Sequence, residues 1–388
     1  MGAHAILSPS GAHRWMHCPP SAQLEKRFPD ERSDYAAEGT FAHKLADLRL
    51  SRAIANTLKP SIYKKQLAEL KKDSWYSTAL EEYVEAYVAQ VTEIFLTTKK
   101  NCKDTLVLLE QKLDFSEWVP GGFGTGDVVV ISDDTLEVID LKYGKGVPVS
   151  AEDNPQTRLY GLGAIRTYQM LYDFSKVRLT IIQPRLDSIS TEELTGDELI
   201  AWADEQVKPK AAQANAGKGE FCAGDHCRFC RARATCRARA EHNMELVKYD
   251  FQDAFLLTPS EIAEILGKAE ELVRWSSDVK EHALDQAINH GEKFPGWKLV
   301  EGKSNRKYSD EEAVAQTLIK ADYKEDAIYK PKELLGITAL EKEVGKKKFS
   351  QLLGELIIKP SGKPTLVPES DKRPEINSTD AAKADFSE

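Results

Sequence analysis

Long apolar segments and nucleotide-binding loops are absent from this amino-acid sequence. No apolar run approaches the roughly 18–20 residues that a bilayer-spanning helix needs. The pattern G-x-x-x-x-G-K-[ST] does not occur, so the chain supplies no helicase motor of its own. The first residues also lack a charged stretch followed by an apolar one, and we therefore expect a cytoplasmic protein without a membrane partner.

An excess of positive charge is missing as well. The net charge of −9 argues against a general coat for nucleic acid, but it leaves room for a local basic groove. In a large cytoplasmic chain, six cysteines are more typical of metal ligands or core residues than of a disulfide framework. With 388 residues, 41% of them hydrophobic, the chain has room for one large domain with an appendage or for two domains.

A hairpin in the middle of the chain carries the chemically most informative residues. Asp127 opens an apolar run, Val128–Ile131, and a second run, Leu136–Leu141, follows a short polar turn. Side chains alternate along a strand, so Asp140 and Lys142 project to the same face. Two carboxylates beside an amine can hold a divalent cation for phosphodiester hydrolysis. Taken alone, the pattern is also typical of a hairpin with an acidic turn and a surface lysine.

The segments around this hairpin alternate between helical and extended patterns. We expect a mixed sheet covered by helices, because helices and strands follow one another in turn. His43 lies in a helical pattern and Glu110 in the middle of an alternating strand, where an acid faces solvent or a site. Asn154-Pro155 is an N-cap followed by proline at the first helical position, which places Gln156 and Tyr160 on one helix face. The predicted helices are 36–50, 75–96, 155–171 and most of 193–213, and the predicted strands are 105–113 and 177–183.

A cysteine cluster follows, with arginines interleaved. Cys227, Cys230 and Cys236 have the spacing C-x2-C-x5-C, and Cys222 precedes them by five residues. Thiolates so close together repel one another unless a metal shares their charge. Two arrangements are compatible with the residues: these four cysteines bind Zn²⁺, or Cys18 joins the last three around an iron–sulfur cluster. The interleaved arginines are Arg228, Arg231, Arg233, Arg237 and Arg239.

Beyond the cysteines the sequence predicts a small, mainly helical module. Thr258-Pro259-Ser260-Glu261 is a capping box that begins a long helix ending near Asn289. Ser309 and Thr338 open two further predicted helices. The predicted boundaries are therefore 1–248 for the main domain, 249–368 for this module and 369–388 for a polar, disordered tail.

Taken together, the residues resemble the RecB-like branch of the PD-(D/E)XK nucleases. The pattern of that branch is a helical histidine, then G-x-x-D, then D-x-K on the next strand, then Q-x-x-x-Y. Its iron–sulfur subgroup, which includes the AddB nuclease and the CRISPR adaptation exonucleases, has one cysteine before the nuclease core and three after it. The resemblance spans about Ser8 to Arg239. In chain order, the matching residues are Cys18, His43, Gly124-Thr125-Gly126-Asp127, Asp140-Leu141-Lys142, Gln156, Tyr160, Cys227, Cys230 and Cys236.

The resemblance implies an α/β fold of the restriction-endonuclease type and a role for each matching residue. His43, Asp127, Asp140 and the carbonyl of Leu141 would bind Mg²⁺ or Mn²⁺, and Lys142 would orient or activate the attacking water. Gln156 and Tyr160 would bind the phosphate backbone or support Lys142, and Glu110 would help only through a water molecule. Cys18, Cys227, Cys230 and Cys236 would bind a [4Fe-4S] cluster. Cys222 has no counterpart in the subgroup, which keeps the zinc alternative open.

The implied function is that of a metal-dependent DNA nuclease in phage or bacterial recombination, repair or processing, with exonuclease action as the expected mode. The chain also looks like phage-encoded members of the group, which would place it in the host cytoplasm. DNA is the expected partner, with a single-strand annealing or other recombination protein and a homo-oligomer as further candidates. The alternative is a nucleic-acid-binding protein with a degenerate nuclease core and a zinc-binding cysteine knuckle. A third interpretation is a zinc-finger-type DNA binder with an unrelated enzyme core.

Overall fold

The computed structural model describes residues 5–29, 34–245 and 258–298, together with residues 319, 320 and 345. The chain divides into two compact units, Met1–Asp285 and Gln286–Glu388. All predicted site residues belong to the first unit. The predicted helices that open at Ser309 and Thr338 and the predicted disordered tail lie outside the described residues. None of the helices that the structure describes has both the length and the apolarity to cross a membrane.

Five strands form the sheet, and helices account for most of the other residues that the structure describes. The strands are β1 (Leu106–Asp114), β2 (Phe123–Ser132), β3 (Thr135–Leu141), β4 (Lys176–Gln183) and β5 (Ser188–Leu194). The helices are α1 (Ala12–His17), α2 (Ser21–Leu24), α3 (Asp34–Ala53), α4 (Pro60–Leu70), α5 (Thr78–Asn101), α6 (Pro155–Tyr168), α7 (Gly196–Trp202), α8 (Lys208–Ala216), α9 (Arg237–Met244) and α10 (Pro259–Asn289). A π-helical turn, Ala203–Val207, links α7 to α8, and a 3₁₀ turn, Asp225–Phe229, precedes α9.

The sheet is mixed, as the sequence predicts. Its strand order is β1-β2-β3-β4-β5, with β3 and β4 parallel and the other neighbours antiparallel. Parallel neighbours need a crossover connection, and α6 provides it between β3 and β4. The first turn of α6 lies near the end of β3, since Gln156 in that turn contacts Lys142, the residue after the strand.

Hydrophobic cores lie on both faces of the sheet. Val129 and Ile131 of β2 belong to the core shared with α6, α7 and α8, whereas Val128 and Val130 belong to the core shared with α3 and α5. Burying a valine or isoleucine side chain contributes about 1.5–3 kcal/mol. An uninterrupted apolar run in β2 is therefore favoured, because both of its faces are covered. The same packing fixes α3 and α5 over the face from which Asp127 projects.

Most predicted elements are confirmed, but one strand was not predicted. The segment 193–213 is mostly helical, as predicted, because helix begins after a capping box at Thr195 and continues through α7, the π-helical turn and α8. The strand that precedes it, β5, which ends at Leu194, was missed. β5 is a sheet-edge strand that alternates between partly exposed and exposed residues, so it has little apolar periodicity to reveal it. Asp127 lies within β2 rather than at its start, because the strand already begins at Phe123.

Candidate metal centre

His43 and Asp127 come together from elements far apart in the chain. His43 lies on α3 and Asp127 on β2, and His43 Nδ1 is 2.9 Å from Asp127 Oδ1. The packing of α3 on the sheet produces this contact between residues that are 84 positions apart. Burial lowers the pKa of His43, but the charge and the hydrogen bond of Asp127 oppose it, and the net shift is upward. The imidazole is therefore held where a carboxylate supports its cationic form.

The second oxygen of Asp127 connects β2 to the end of β3. The backbone N–H of Leu141 donates a hydrogen bond of 2.7 Å to Asp127 Oδ2. Leu141 was predicted to contribute its carbonyl oxygen to a metal ion, and that role stays a prediction. The contact fixes the carboxylate between α3 and β3, so that its direction is set by backbone as well as by His43.

Glu110 is a third member of this cluster. It lies on β1 directly across from Asp127, at the one break in the β1–β2 register, and its φ of 47° is in the left-handed region. Non-glycine residues adopt that conformation at a cost of about 1–3 kcal/mol, and such strain concentrates at functional sites. Ligand atoms of His43, Glu110 and Asp127 all lie within 4.8 Å of one another. Among the described residues, this is the group of histidine and acidic side chains whose geometry is compatible with a metal ion.

Burial raises the pKa of Glu110 to about 7, and the charges of Asp127 and Asp47 add to the effect. Carboxylates held together without a counterion repel each other, and a cation between them relieves the repulsion. The sequence indicated Glu110 as an acid in an apolar strand, and its expected contact with the metal through water stays a prediction. The missing signal was the strand register, which places residue 110 opposite residue 127.

A small cavity of about 10 Å³ adjoins the three side chains. A space of that size matches about one water molecule or one small ion. Asp47 also borders it, one helical turn after His43 on α3, and burial raises the pKa of its carboxyl group. Tyr87 of α5 completes the wall with a buried hydroxyl group that has no hydrogen-bond partner in the described chain. Sequence patterns did not single out Asp47 or Tyr87, because an acid and a tyrosine at helical spacing are common on any helix.

Beside the cluster, a row of hydrogen-bonded side chains runs from Asp140 to Tyr160. Lys142 Nζ lies 2.8 Å from Asp140 Oδ2 and donates a 2.8 Å hydrogen bond to Gln156 Oε1. Gln156 Nε2 in turn donates to the hydroxyl oxygen of Tyr160 at 3.2 Å. The N-cap at Asn154, whose side chain accepts hydrogen bonds from the backbone N–H groups of Gln156 and Thr157, positions the start of α6 for these contacts. Gln156 therefore contacts Lys142 directly and Tyr160 contacts Gln156, while the two roles expected of these residues stay predictions.

Asp140 is buried between these two groups of residues. Burial raises its pKa, the Lys142 ammonium opposes that shift, and the Asp127 carboxylate adds to it. Asp140 does not belong to the three-residue group of ligand atoms, and its contact is with Lys142. Its predicted role as a metal ligand therefore stays a prediction, while its place beside Asp127 and Lys142 is given by the structure.

Gly124, which precedes Asp127 in β2, occupies a position where a larger side chain does not fit. A Cβ atom at this position would lie 2.7 Å from the Pro9 ring and 2.7 Å from the Tyr160 ring. Both distances are shorter than real Cβ contacts, so only glycine lets the segment before α1 pack over α6 at this point. The first residue of G-x-x-D is accordingly a packing position that keeps Tyr160 in place.

The predicted cysteine ligands lie where the N-terminal segment meets the segment after α8. Arg14 donates a 3.2 Å hydrogen bond to the Phe229 carbonyl oxygen, and the Arg231 N–H donates a 2.8 Å bond to Glu25 Oε1. These contacts hold the helix that ends at Cys18 against the turn that carries Cys227. All six cysteines are free.

The cysteines of this region differ in burial. Cys18, Cys227 and Cys230 are buried, Cys236 is half-buried and Cys222 is exposed. Burial raises the pKa of the Cys227 thiol, and it raises that of Cys230 to about 12. Buried thiols of this kind become thiolates only when a metal or a nearby cation shares their charge.

Comparison with known proteins gives a family but no activity. A family model described as "Protein of unknown function (DUF2800)" matches residues 4–374. Among solved structures, the chain is similar to one titled "Crystal structure of SSO0001", with 18% identity over 50% of this chain and 85% of that chain and a TM-score of 0.21. A likeness with so low a TM-score carries no argument about fold or function.

Proposed function

This chain belongs to the DUF2800 family, and we propose that it is a nuclease that uses Mg²⁺ or Mn²⁺ to hydrolyse phosphodiester bonds of DNA. One observation carries the proposal. An imidazole and two carboxylates, from α3, β1 and β2, converge within 4.8 Å beside a lysine that is paired with a third, buried carboxylate. Carboxylates held this close together repel one another, and a hairpin with a purely structural role has no need to bring them together.

The donor set fits a hard divalent cation. Carboxylate oxygens and one imidazole nitrogen are ligands for Mg²⁺ or Mn²⁺, whereas a set of thiolates would select a softer metal. We assign His43, Glu110 and Asp127 to the ion, with Asp140 and the Leu141 carbonyl as the ligands that the resemblance implies. The ion would supply Lewis acidity to the scissile phosphate and to the attacking water.

The protein side chains have separate tasks in this proposal. Lys142 donates hydrogen bonds to a phosphate oxygen and stabilises the negative charge that develops during the attack. Asp140 and Gln156 hold the ammonium group in place, so little reorganisation is needed when the phosphate arrives. In the metal-free protein the pKa of Glu110 is raised to about 7, and a bound cation would relieve the repulsion from Asp127 that contributes to this shift.

DNA as substrate, exonuclease action and a role in phage or bacterial recombination rest on the resemblance described above. For the cysteines we propose a [4Fe-4S] cluster bound by Cys18, Cys227, Cys230 and Cys236. The burial of Cys18 and the exposure of Cys222 favour this set over the zinc knuckle, because a closed metal site excludes solvent from its ligands. A structural cluster here would join the start of the chain to the end of the nuclease core.

Cleavage of end-labelled DNA by the full chain tests the proposal. Linear single-stranded, linear duplex and circular substrates are incubated with Mn²⁺ or with EDTA. We expect a linear substrate to be cleaved with Mn²⁺ but not with EDTA, and its products to shorten progressively from an end. The circular substrate should resist cleavage. Nicking of the circle would replace the exonuclease assignment with endonuclease action.

Substitution at the lysine provides the matched comparison. Lys142→Ala is expected to reduce the cleavage rate by about 10²–10³-fold, the usual cost of losing one donor to a developing charge. Lys145→Ala, at an exposed lysine three positions later, is expected to cut at the wild-type rate. Equal rates for Lys142→Ala and wild type would refute the assignment. DNA binding without cleavage under any of these conditions would favour the degenerate-core alternative.

A further inference from the structure

A cleft of about 460 Å³ lies where α1, the 3₁₀ turn Asp225–Phe229 and α10 meet. It is separate from the small cavity at the metal centre. Its charged lining residues are Arg14, Arg228, Arg274 and one acid, Asp225, and two histidines, His13 and His226, also border it. With both imidazoles neutral, the lining carries a net charge of +2, although the whole chain has a net charge of −9. A concave basic site on an acidic protein selects anions.

The three arginines differ in how closely acidic groups pair with them. Arg14 forms an ion pair of 2.8 Å with Glu25 and donates to the Phe229 carbonyl oxygen, and Arg274 lies at the longer distances of 3.8 Å from Glu271 and 3.9 Å from Glu270. Arg228 makes no ion pair with any described residue, and its guanidinium group lies over the Phe229 ring, 5.5 Å from the centroid. Guanidinium groups present forked donors that match the oxygens of a phosphate group.

The structure also separates the interleaved arginines by role. Arg239 is only 1% exposed and forms ion pairs with Glu271 and Asp278, and Arg233 pairs with Asp278 at 3.0 Å. These two arginines join α9 and its preceding loop to α10. Arg228 faces the cleft instead, and Arg237 is exposed outside it. A sequence pattern alone could not distinguish these roles, because the residues alternate along one short segment.

The cleft lies close to the proposed catalytic residues. Val147 borders it and follows Lys142 by five positions, which limits their separation to about 17 Å even for an extended chain. Ser10 also borders it, next to Pro9, which packs near Gly124 and Tyr160.

We infer that this cleft binds a backbone phosphate of the DNA strand near the bond that is cut. The inference rests on the proposed nuclease function and adds the path of its substrate. Arg228 and Arg274 contact the phosphate, and Arg14 is oriented toward the same space by Glu25. The cleft serves binding rather than the chemical step, so its loss weakens binding of DNA of any sequence.

Equilibrium binding of a fluorescein-labelled single-stranded oligonucleotide tests the inference, in EDTA so that nothing is cut. Each phosphate contact contributes about 0.7 to the slope of log K against log salt for a single strand, which is about fivefold in affinity at 0.1 M salt. Arg228→Ala and Arg274→Ala are each expected to weaken binding by about that factor and to flatten the slope by about 0.7. Arg237→Ala removes the same charge outside the cleft and is expected to bind like wild type.

Two further arms keep the outcomes separate. Arg228→Glu replaces an exposed side chain and should weaken binding further, and thermal unfolding checks that each variant is folded. Inorganic phosphate is titrated directly into wild type and Arg228→Ala. If phosphate binding depends on Arg228 while oligonucleotide binding does not, the cleft is a site for a free anion and the inference is overturned.

Equal oligonucleotide affinities and slopes for wild type, Arg228→Ala and Arg274→Ala would also overturn it, even if the protein cuts DNA. Conversely, oligonucleotide binding could depend on Arg228 and Arg274 in a protein that cuts no DNA. That result would refute the proposed nuclease function and retain the phosphate site.

Discussion

Binding of Mn²⁺ should stabilise the folded protein through Asp127 and Glu110, and this can be measured without any substrate. A ligand that binds only the folded state stabilises it by about 2.7 kcal/mol at a concentration of 100 times its Kd. For a unit of this size, each 1 kcal/mol raises the unfolding midpoint by about 2–4 °C, so wild type should gain about 5–11 °C.

The two substitutions should reduce this gain by different amounts. Asp127 contacts His43 and the Leu141 backbone and lies at the centre of the ligand group. We therefore expect Asp127→Asn to weaken Mn²⁺ binding by about 100-fold, which is the upper end of the range for residues around a metal. At the same Mn²⁺ concentration the stabilisation then falls to about 0.4 kcal/mol. Glu110 is partly exposed, so we expect Glu110→Gln to weaken binding about tenfold, which leaves about 1.4 kcal/mol.

Differential scanning calorimetry with Mn²⁺ and with EDTA measures these gains within each variant, so differences in metal-free stability cancel. Asp133→Asn is the matched control, because Asp133 is an exposed acid in the β2–β3 turn whose φ of 45° asparagine tolerates. It should show the full wild-type gain. If Mn²⁺ raises the unfolding midpoint of Asp127→Asn as much as that of wild type, the proposed ion site is refuted. If it does so for Glu110→Gln, Glu110 is not a ligand at that site.

Two more predictions concern the cysteines and a buried acid. If wild type binds the proposed cluster, it should purify with iron and a brown absorbance at about 400 nm; Cys18→Ala should lose both and Cys222→Ala should keep both. Zinc in a colourless wild type would reverse the assignment. Burial raises the pKa of Glu137, with Arg178 and Thr180 opposing the shift. The carboxyl group therefore ionises at lower pH in the unfolded chain than in the folded one, and the folded state loses stability as pH rises through that interval. Glu137→Gln cannot ionise, so it should raise the thermal midpoint more at pH 8 than at pH 4, and an equal effect at both values would contradict this sign.

Local sequence was enough to predict much of the fold. The apolar runs of β2 and β3, the Asn154-Pro155 start of α6 and the helical pattern around His43 are all confirmed by the structure. Such features depend on residues near one another in the chain, and their physical causes act over one or two turns. β5 was missed for the same reason, since an edge strand with polar alternation has no strong local signal.

The candidate site, like the fold, was predictable from the sequence only in part. Chain order and residue type were sufficient to select His43, Asp127, Asp140 and Lys142 as chemically relevant. Their distances were not predictable, because they depend on how α3 packs across the sheet and on where β3 ends. Glu110 shows the limit most clearly: its closeness to Asp127 follows from a register between two strands, which no single segment encodes.

By itself, the amino-acid sequence determined that acids, a histidine and a lysine stand at the ends of apolar elements, and that cysteines bracket them. Only the tertiary structure decided that Glu110 joins His43 and Asp127, that Asp140 contacts Lys142, and that Arg228 faces a cleft while Arg239 is buried in ion pairs. The physical reason is that periodicity and capping are local properties of the backbone. Contacts between charged groups form only when packing of the two hydrophobic cores brings distant segments together.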